Sequence, residues 1–297
     1  MRLMKAVLGS AVMFLAAQAL AAGAPPPPAH AAPAAHNPAP AHPAPAGKPA
    51  PGNSAAPKGS AGKAEVTWWG HAAFIVKSPG GAIIAIDPWL QNPRAPQGAA
   101  QPDALDAILV THAHSDHVGN TLDLATKTQA TVVGSYELIA QLGVAKGNGL
   151  NAGGSMRIKD VTITAVPAVH SSGYVANPAD QTAKPVYGGA PLGYIIAIDH
   201  GPTLYHAGDT DYFAGMSYIA ERFKPTVAML PIGGQYTMDP MGAAYAAKTL
   251  KVKTVVPMHY GTFPALSGTP AELTAALKTV HATAKVDELQ PGVATWL

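Results

Sequence analysis

Between Thr111 and Asn120 the chain reads THAHSDHVGN, which places three of its 12 histidines and one aspartate in the six positions from His112 to His117. Neutral imidazole and ionised carboxylate are the ligands that borderline divalent cations such as zinc prefer. In His112-Ala-His114 the side chains at i and i+2 point to one side if extended backbone continues that far, so both can grip one cation. Asp116 and His117 follow where the chain turns toward a helix and can serve a second cation, since the ions of two-metal sites lie about 3.5–4 Å apart. Four side chains do not fill two coordination spheres, so the rest of the chain must supply more. His170, Asp209 and His259 are the candidates, because each comes within a few residues of the end of an apolar run. Loops at strand ends commonly carry function. The chain has no cysteine. That removes thiolate ligands, argues against a purely structural zinc site and leaves no cysteine nucleophile.

Apolar runs bounded by Gly, Pro and polar turns predict the elements that hold these residues. Strands are expected over 65–69, 73–77 and 82–86, arranged as a meander, and a buried strand over 107–110 leads directly into the histidine cluster. A helix over 120–128, a strand over 131–133 and a helix over 136–142 closed by Gly143 follow. Two strands over 155–158 and 161–166 precede a long Gly/Pro loop, 171–191, which is the natural place for substrate selection. Beyond it, strands over 193–198, 203–206, 227–231, 254–258 and 285–289 alternate with helices over 213–223, 240–250 and 270–282. Strands with interspersed helices in both halves point to two sheets, each covered by helices.

The cluster His112-x-His-x-Asp-His117, with a distant His, a Gly-Asp-Thr and a late His, resembles the metallo-β-lactamase superfamily. The resemblance covers Glu65 to Leu297 and implies an α/β fold, a four-layer αββα sandwich. Gly70-His-Ala-Ala-Phe74, Ile86-Asp-Pro-Trp89, Tyr205-His-Ala-Gly-Asp-Thr210, Leu230-Pro-Ile-Gly-Gly234 and Pro257-Met-His-Tyr260 are similar to a smaller branch of metal-dependent hydrolases. That branch is related to the ascorbate-6-phosphate lactonases and N-acylphosphatidylethanolamine phospholipase D. The resemblance implies that His112, His114 and His170 bind one metal, that Asp116, His117 and His259 bind the second, and that Asp209 bridges them. Asp87 would orient a ligand imidazole.

Two divalent ions, Zn²⁺ or alternatively Mn²⁺, are the implied cofactors, with a bridging hydroxide as nucleophile. Asp116 is expected to shuttle a proton, and the resemblance implies that His71 and His206 lie near the site, either contacting substrate or protonating a leaving group or serving as satisfied structural histidines. The expected substrate is a small ester-like molecule, a lactone or phosphodiester foremost. A non-catalytic metal-sequestering protein and a β-lactamase-type amide hydrolase are the alternatives. The bridging Asp209 counts against the latter, because β-lactamases of the superfamily generally lack it. A diiron redox member would usually carry a carboxylate where His114 stands.

The N-terminal portion differs in composition. Residues 1–22 combine Arg2 and Lys5 with an apolar run and small residues, the pattern of a secretory signal peptide too short to span as an anchor. Residues 23–63 are rich in Ala and Pro and are expected to be a disordered linker, its His30, His36 and His42 binding metal weakly at most. The folded domain is expected over 64–297, exported and periplasmic, with no stable membrane insertion after cleavage of the signal. All five cationic residues before Glu65 lie in this N-terminal portion, and without them 14 Lys and Arg face 17 Asp and Glu, a balance of −3. That balance, with no basic run, makes a nucleic-acid partner unexpected.

Overall fold

The computed structural model describes residues 62–180 and 182–297. The expected signal peptide, the linker up to residue 61 and its three histidines lie outside the described residues. The first half runs β1 (Glu65–Trp68), β2 (Phe74–Lys77), β3 (Ile83–Ile86), β4 (Ala107–Leu109), α1 (Ser115–Val118), α2 (Thr121–Thr128), β5 (Thr131–Gly134), α3 (Tyr136–Leu142) and β6 (Gly147–Gly149). The second half begins with β7 (Ser155–Ile158), β8 (Val161–Pro167), β9 (Gly173–Tyr174), β10 (Val186–Tyr187), β11 (Leu192–Ile198) and β12 (Thr203–His206). It continues with α4 (Met216–Phe223), β13 (Val227–Pro231), α5 (Pro240–Leu250), β14 (Thr254–Met258), α6 (Pro270–Thr279), β15 (Lys285–Val286) and β16 (Ala294–Trp296).

Two seven-stranded sheets result, in the orders β16-β1-β2-β3-β4-β5-β6 and β15-β14-β13-β12-β11-β8-β7. Both are mixed, and helices flank them, giving the α/β metallo-β-lactamase fold. Residue alternation within the strands explains the layering. Ile84, Ile86, Ala107, Leu109 and Val133 join one core with Ile163, Ala165, Ile196 and Leu204 of the other sheet. Their neighbours Ala85, Ile108, Val110 and Val132 belong to a second cluster with Leu124 of α2 and Leu138 and Leu142 of α3. Strands buried on both faces read as continuous apolar runs, which is the pattern of 107–110.

Helix ends carry their own signals. The Ser135 side chain caps α3, and Gly143 ends it in the left-handed region at φ 61°. Asp239 caps α5 with Pro240 in the first turn, and Thr269 and Glu272 form a capping box on α6. In α5 the alanines 243, 244, 246 and 247 are all buried, so small side chains let this helix lie close to the sheet.

The sheets are joined by hydrogen bonds near one edge. The Tyr194 hydroxyl on β11 donates to Val110 O at 2.9 Å, and Leu192 N donates to Thr111 O at 2.9 Å. Each such buried bond contributes about 1 kcal/mol net. At this edge the strands agree in direction. β1, β3, β4 and β5 run one way within the first sheet, as do β8, β12, β13 and β14 within the second.

The ends of several expected elements are trimmed. Helix α4 starts at Met216, not 213, and α6 stops at Thr279, not 282; β15 pairs over only two residues. Loop 171–191 is not wholly irregular, since β9 and β10 pair antiparallel within it.

Candidate metal centre

Every candidate ligand follows the C-terminal end of one of these co-directional strands. His71 follows β1, His112 to His117 follow β4, His170 follows β8, Asp209 follows β12 and His259 follows β14; Asp87 follows β3. There the backbone leaves the ladder, so side chains converge without costing sheet hydrogen bonds.

The structure brings together all seven residues expected to bind metal. Ligand-capable atoms of His112, His114 and His170 lie within 4.8 Å of one another, and so do those of Asp116, His117 and His259, with His71 as a fourth member of the second group. Asp209 stands between the groups. Its Oδ2 lies 3.0 Å from His259 Nε2, 3.2 Å from His117 Nε2, 3.6 Å from His170 Nε2 and 3.9 Å from His112 Nε2.

Around these atoms, hydrogen bonds fix the rings. Asp87 Oδ2 accepts from His117 Nδ1 at 2.8 Å, leaving His117 Nε2 to face Asp209. The Thr111 hydroxyl donates to Asp87 Oδ2 at 2.7 Å and lies 3.1 Å from His112 Nδ1. With its own hydrogen on Asp87, the Thr111 oxygen accepts a hydrogen bond from His112 Nδ1–H, which leaves the lone pair of His112 on Nε2. Asp87 Oδ1 also accepts Thr111 N at 2.7 Å, so one buried carboxylate aligns two rings. Ser171 Oγ is 3.4 Å from His114 Nε2, and His114 Nδ1 faces His112 Nε2 at 2.9 Å, so these two nitrogens converge within the first group.

His71 is fully buried. Its Nδ1 lies 2.9 Å from Thr262 Oγ1 and its Nε2 3.1 Å from Asp116 Oδ2. Its carbonyl accepts Trp68 Nε1 at 2.9 Å and His259 N at 3.0 Å. That pins the turn after β1 to the loop after β14.

His71, Asp87 and His259 all hold left-handed backbone conformations, at φ 50°, 44° and 55°. Such conformations cost non-glycine residues on the order of 1–3 kcal/mol each and cluster at functional sites. Gly208 lets the Asp209 loop approach. A Cβ there would meet Leu192 O at 2.7 Å and Thr111 Cβ at 2.9 Å.

His206 corrects an expectation. Its Nε2 lies 3.0 Å from Ala72 O, and its Nδ1 accepts Gly208 N at 3.2 Å. With both ring nitrogens on backbone groups and the side chain fully buried, it braces the His71 and Asp209 loops and has no free nitrogen for a leaving group. Burial lowers its pKa and keeps it neutral.

Burial and neighbouring charge pull against each other in this cluster. Burial would lower His117, yet Asp209 and Asp87 on either side push it well above its ordinary value. Burial would raise Asp209, and His117 and His259 outweigh it, holding the carboxyl well below its range. Asp116 is likewise held low, its burial outweighed by the His71 hydrogen bond and His117. Burial drives His112 well below and His71 down to about 4.

Buried His117 Nε2, both nitrogens of His259 and Asp209 Oδ1 have no hydrogen-bond partner. The short approaches of His117 and His259 to Asp209 therefore lack hydrogen-bond alignment. Buried polar atoms left this way are rare, and four of them gathered in one cluster fit a cation site. Imidazoles and carboxylates converging on common points suit divalent cations, so the residues present fit the metals the sequence implies.

Thr111 and Thr262 were not legible as functional residues. Thr111 had a signal, since it precedes His112 at the end of the buried strand. Thr262 lies three residues beyond His259 with no local pattern to mark it.

Comparison with known proteins agrees with this geometry. Residues 82–260 match the model of the Beta-lactamase superfamily domain. A protein of Myxococcus xanthus named UPF0173 metal-dependent hydrolase is 62% identical over 238 residues, covering 80% of this chain and 84% of that protein. One of the same family name from Anaeromyxobacter dehalogenans is 48% identical, covering 80% and 88%. The structure of Igni18, a novel metallo hydrolase from the hyperthermophilic archaeon Ignicoccus hospitalis, shares 37% identity with a TM-score of 0.68, covering 79% of this chain and 98% of that one. With a buried His/Asp cluster at the joined edge of two sheets and matches of this extent, the chain belongs to the UPF0173 metal-dependent hydrolase family of the metallo-β-lactamase superfamily.

Proposed function

We propose that the chain is an exported, dinuclear hydrolase of small ester-like substrates, with lactones and phosphodiesters foremost and Zn²⁺, or alternatively Mn²⁺, as the metal. The observation that carries the dinuclear reading is the position of Asp209 Oδ2, within 3.0–3.9 Å of Nε2 atoms from both ligand groups. His112, His114 and His170 would hold one cation, Asp116, His117 and His259 the other, and Asp209 both. Bound cations supply Lewis-acid activation of water and polarisation of the scissile oxygen.

The chain's own residues do the remainder. Asp87 and Thr111 hold His117 and His112 with their Nε2 lone pairs directed inward. The hydrogen bond from His71 steadies Asp116 Oδ2. The Asp116 side chain is 25% exposed, whereas His71 beside it is fully buried. That exposure supports a role for its carboxylate in taking a proton from the attacking water and returning it to the leaving oxygen. No separate serine or cysteine nucleophile is needed. The signal-like residues 1–22 support export, and the acidic balance of the folded part supports a small-molecule partner over nucleic acid. Among the described residues no helix is long and apolar enough to cross a membrane.

Chelation tests the reading. Stripping the purified protein with EDTA should abolish hydrolysis of a generic lactone or aryl ester and lower the melting temperature, since a ligand bound only to the folded state stabilises it. Two equivalents of Zn²⁺ per chain should restore both. Full activity after verified metal removal, or full restoration by one equivalent, contradicts the dinuclear mechanism.

A further inference from the structure

The metal centre opens into two adjoining cavities. One, of about 550 Å³, is lined by His114, Ser115, Asp116 and Ser171 and by the loop residues Pro178 and Asp180, among others. The other, of about 500 Å³, is lined by Trp89, Gln91, Asp116, Asn120, Pro178 and Phe263, with Ser115 and Gly119. They share Ser115, Asp116 and Pro178, so Asp116 stands where they meet.

The second cavity has an aromatic wall. Trp89 and Phe263 stack with centroids 5.8 Å apart and planes 25° apart. Both meet His71 edge-on, Trp89 at 5.3 Å and Phe263 at 5.8 Å. The aromatic surface therefore runs without a break from the second ligand group outward to Phe263, which is 38% exposed. A stacked pair left partly open to solvent beside a reactive centre is a seat for a flat apolar group.

Charge narrows the occupant. Among the described residues lining the two cavities, the ionisable ones are His114, Asp116 and Asp180, and none is Lys or Arg. Phosphate and carboxylate groups are ordinarily recognised by guanidinium or ammonium partners. At the ligand groups an anion would meet the bound cations, but an anionic tail extending from there into either cavity would find no Lys or Arg and would face Asp180.

We propose that the substrate is an uncharged carboxylic ester or lactone bearing an aromatic or similarly flat apolar group, which packs on Trp89 and Phe263 while the scissile carbonyl lies at Asp116. The inference rests on the hydrolytic reading above and narrows it away from phosphodiesters. In the reaction, water adds its oxygen to the carbonyl carbon, the carbon–oxygen single bond of the ester breaks, and a proton from that water passes to the departing alkoxide. The products are a carboxylic acid and an alcohol, joined in one hydroxy acid when the substrate is a lactone.

Two measurements on the zinc-loaded full chain test this. In the first, calorimetric titration compares phenylacetohydroxamic acid with acetohydroxamic acid, which share one metal-binding head. The phenyl compound should bind at least about tenfold more tightly. Phe263→Ala, a partly exposed position, should reduce that ratio to below about threefold, and Phe263→Tyr should keep it. In the second, kcat/KM for dihydrocoumarin should exceed that for bis(p-nitrophenyl) phosphate by about a hundredfold or more. Equal binding of the two hydroxamates, a ratio unchanged in Phe263→Ala, or faster turnover of the phosphodiester overturns the proposal. Selective hydroxamate binding without turnover of either compound would uphold the aromatic seat and overturn the ester chemistry, so the two failures are distinct.

Discussion

Substituting Asp209→Asn is expected to lower kcat/KM by on the order of 10³-fold, about 4 kcal/mol of transition-state stabilisation, and to lower the metal content of the purified protein. Its Oδ2 is within 3.0–3.9 Å of four histidine Nε2 atoms drawn from both ligand groups. Among the described residues no other carboxylate oxygen lies within 4 Å of histidines from both groups. An amide keeps the shape but removes the charge, and half of its orientations turn an N–H toward nitrogens whose lone pairs must stay free. Because the replacement is isosteric and Gly208 still admits the loop, the fold should persist, as circular dichroism would show. Activity within a few fold of wild type, with two ions retained, would mean that Asp209 does not bridge.

The second large effect should come from a residue that touches no metal. Asp87→Asn is expected to weaken metal affinity by about 10–100-fold, the usual consequence of removing a partner that orients a ligand histidine. The Asp87 carboxylate accepts Thr111 N, the Thr111 hydroxyl and His117 Nδ1 at 2.7–2.8 Å. With one carbonyl oxygen in place of two, Asn still serves Thr111 N, but its NH₂ opposes two donors. A buried donor left unpaired costs about 1–3 kcal/mol, so stability in urea should fall by an amount in that range. Asn tolerates the left-handed backbone at this position as well as Asp does, which isolates the loss to the hydrogen bonds. Competition with a chelator of known affinity measures the first effect. An unchanged zinc affinity would show that His117 is oriented by something else.

Much of this was readable because the centre is built at strand ends. A buried strand is an apolar run, and the first polar residues after it must lie at a sheet edge; Ala107 to Val110 followed by Thr111 and His112 shows this directly. The same logic located His170, Asp209 and His259. Features that depend on pairing between distant segments left no local trace. Strand β16 lies beside β1 through pairs such as Thr67 with Ala294, with more than two hundred residues between them in sequence. Strand β6 is Gly-Asn-Gly, whose backbone alone pairs with β5, so it has no side-chain alternation to read. His71 and His206 looked alike in sequence, each a lone histidine at a strand end. The fold separates them, since His71 Nε2 meets Asp116 while both nitrogens of His206 meet backbone. The aromatic pair Trp89 and Phe263 could not be inferred either, because its members come from loops after β3 and β14 in different sheets.

Two cations held among these side chains can be located by anomalous scattering. Crystals of the zinc-loaded protein, measured on both sides of the zinc absorption edge, should show two anomalous peaks. One is expected among His112, His114 and His170, the other among Asp116, His117 and His259, with Asp209 between. A single peak, or peaks elsewhere in a catalytically active crystal, would contradict the account.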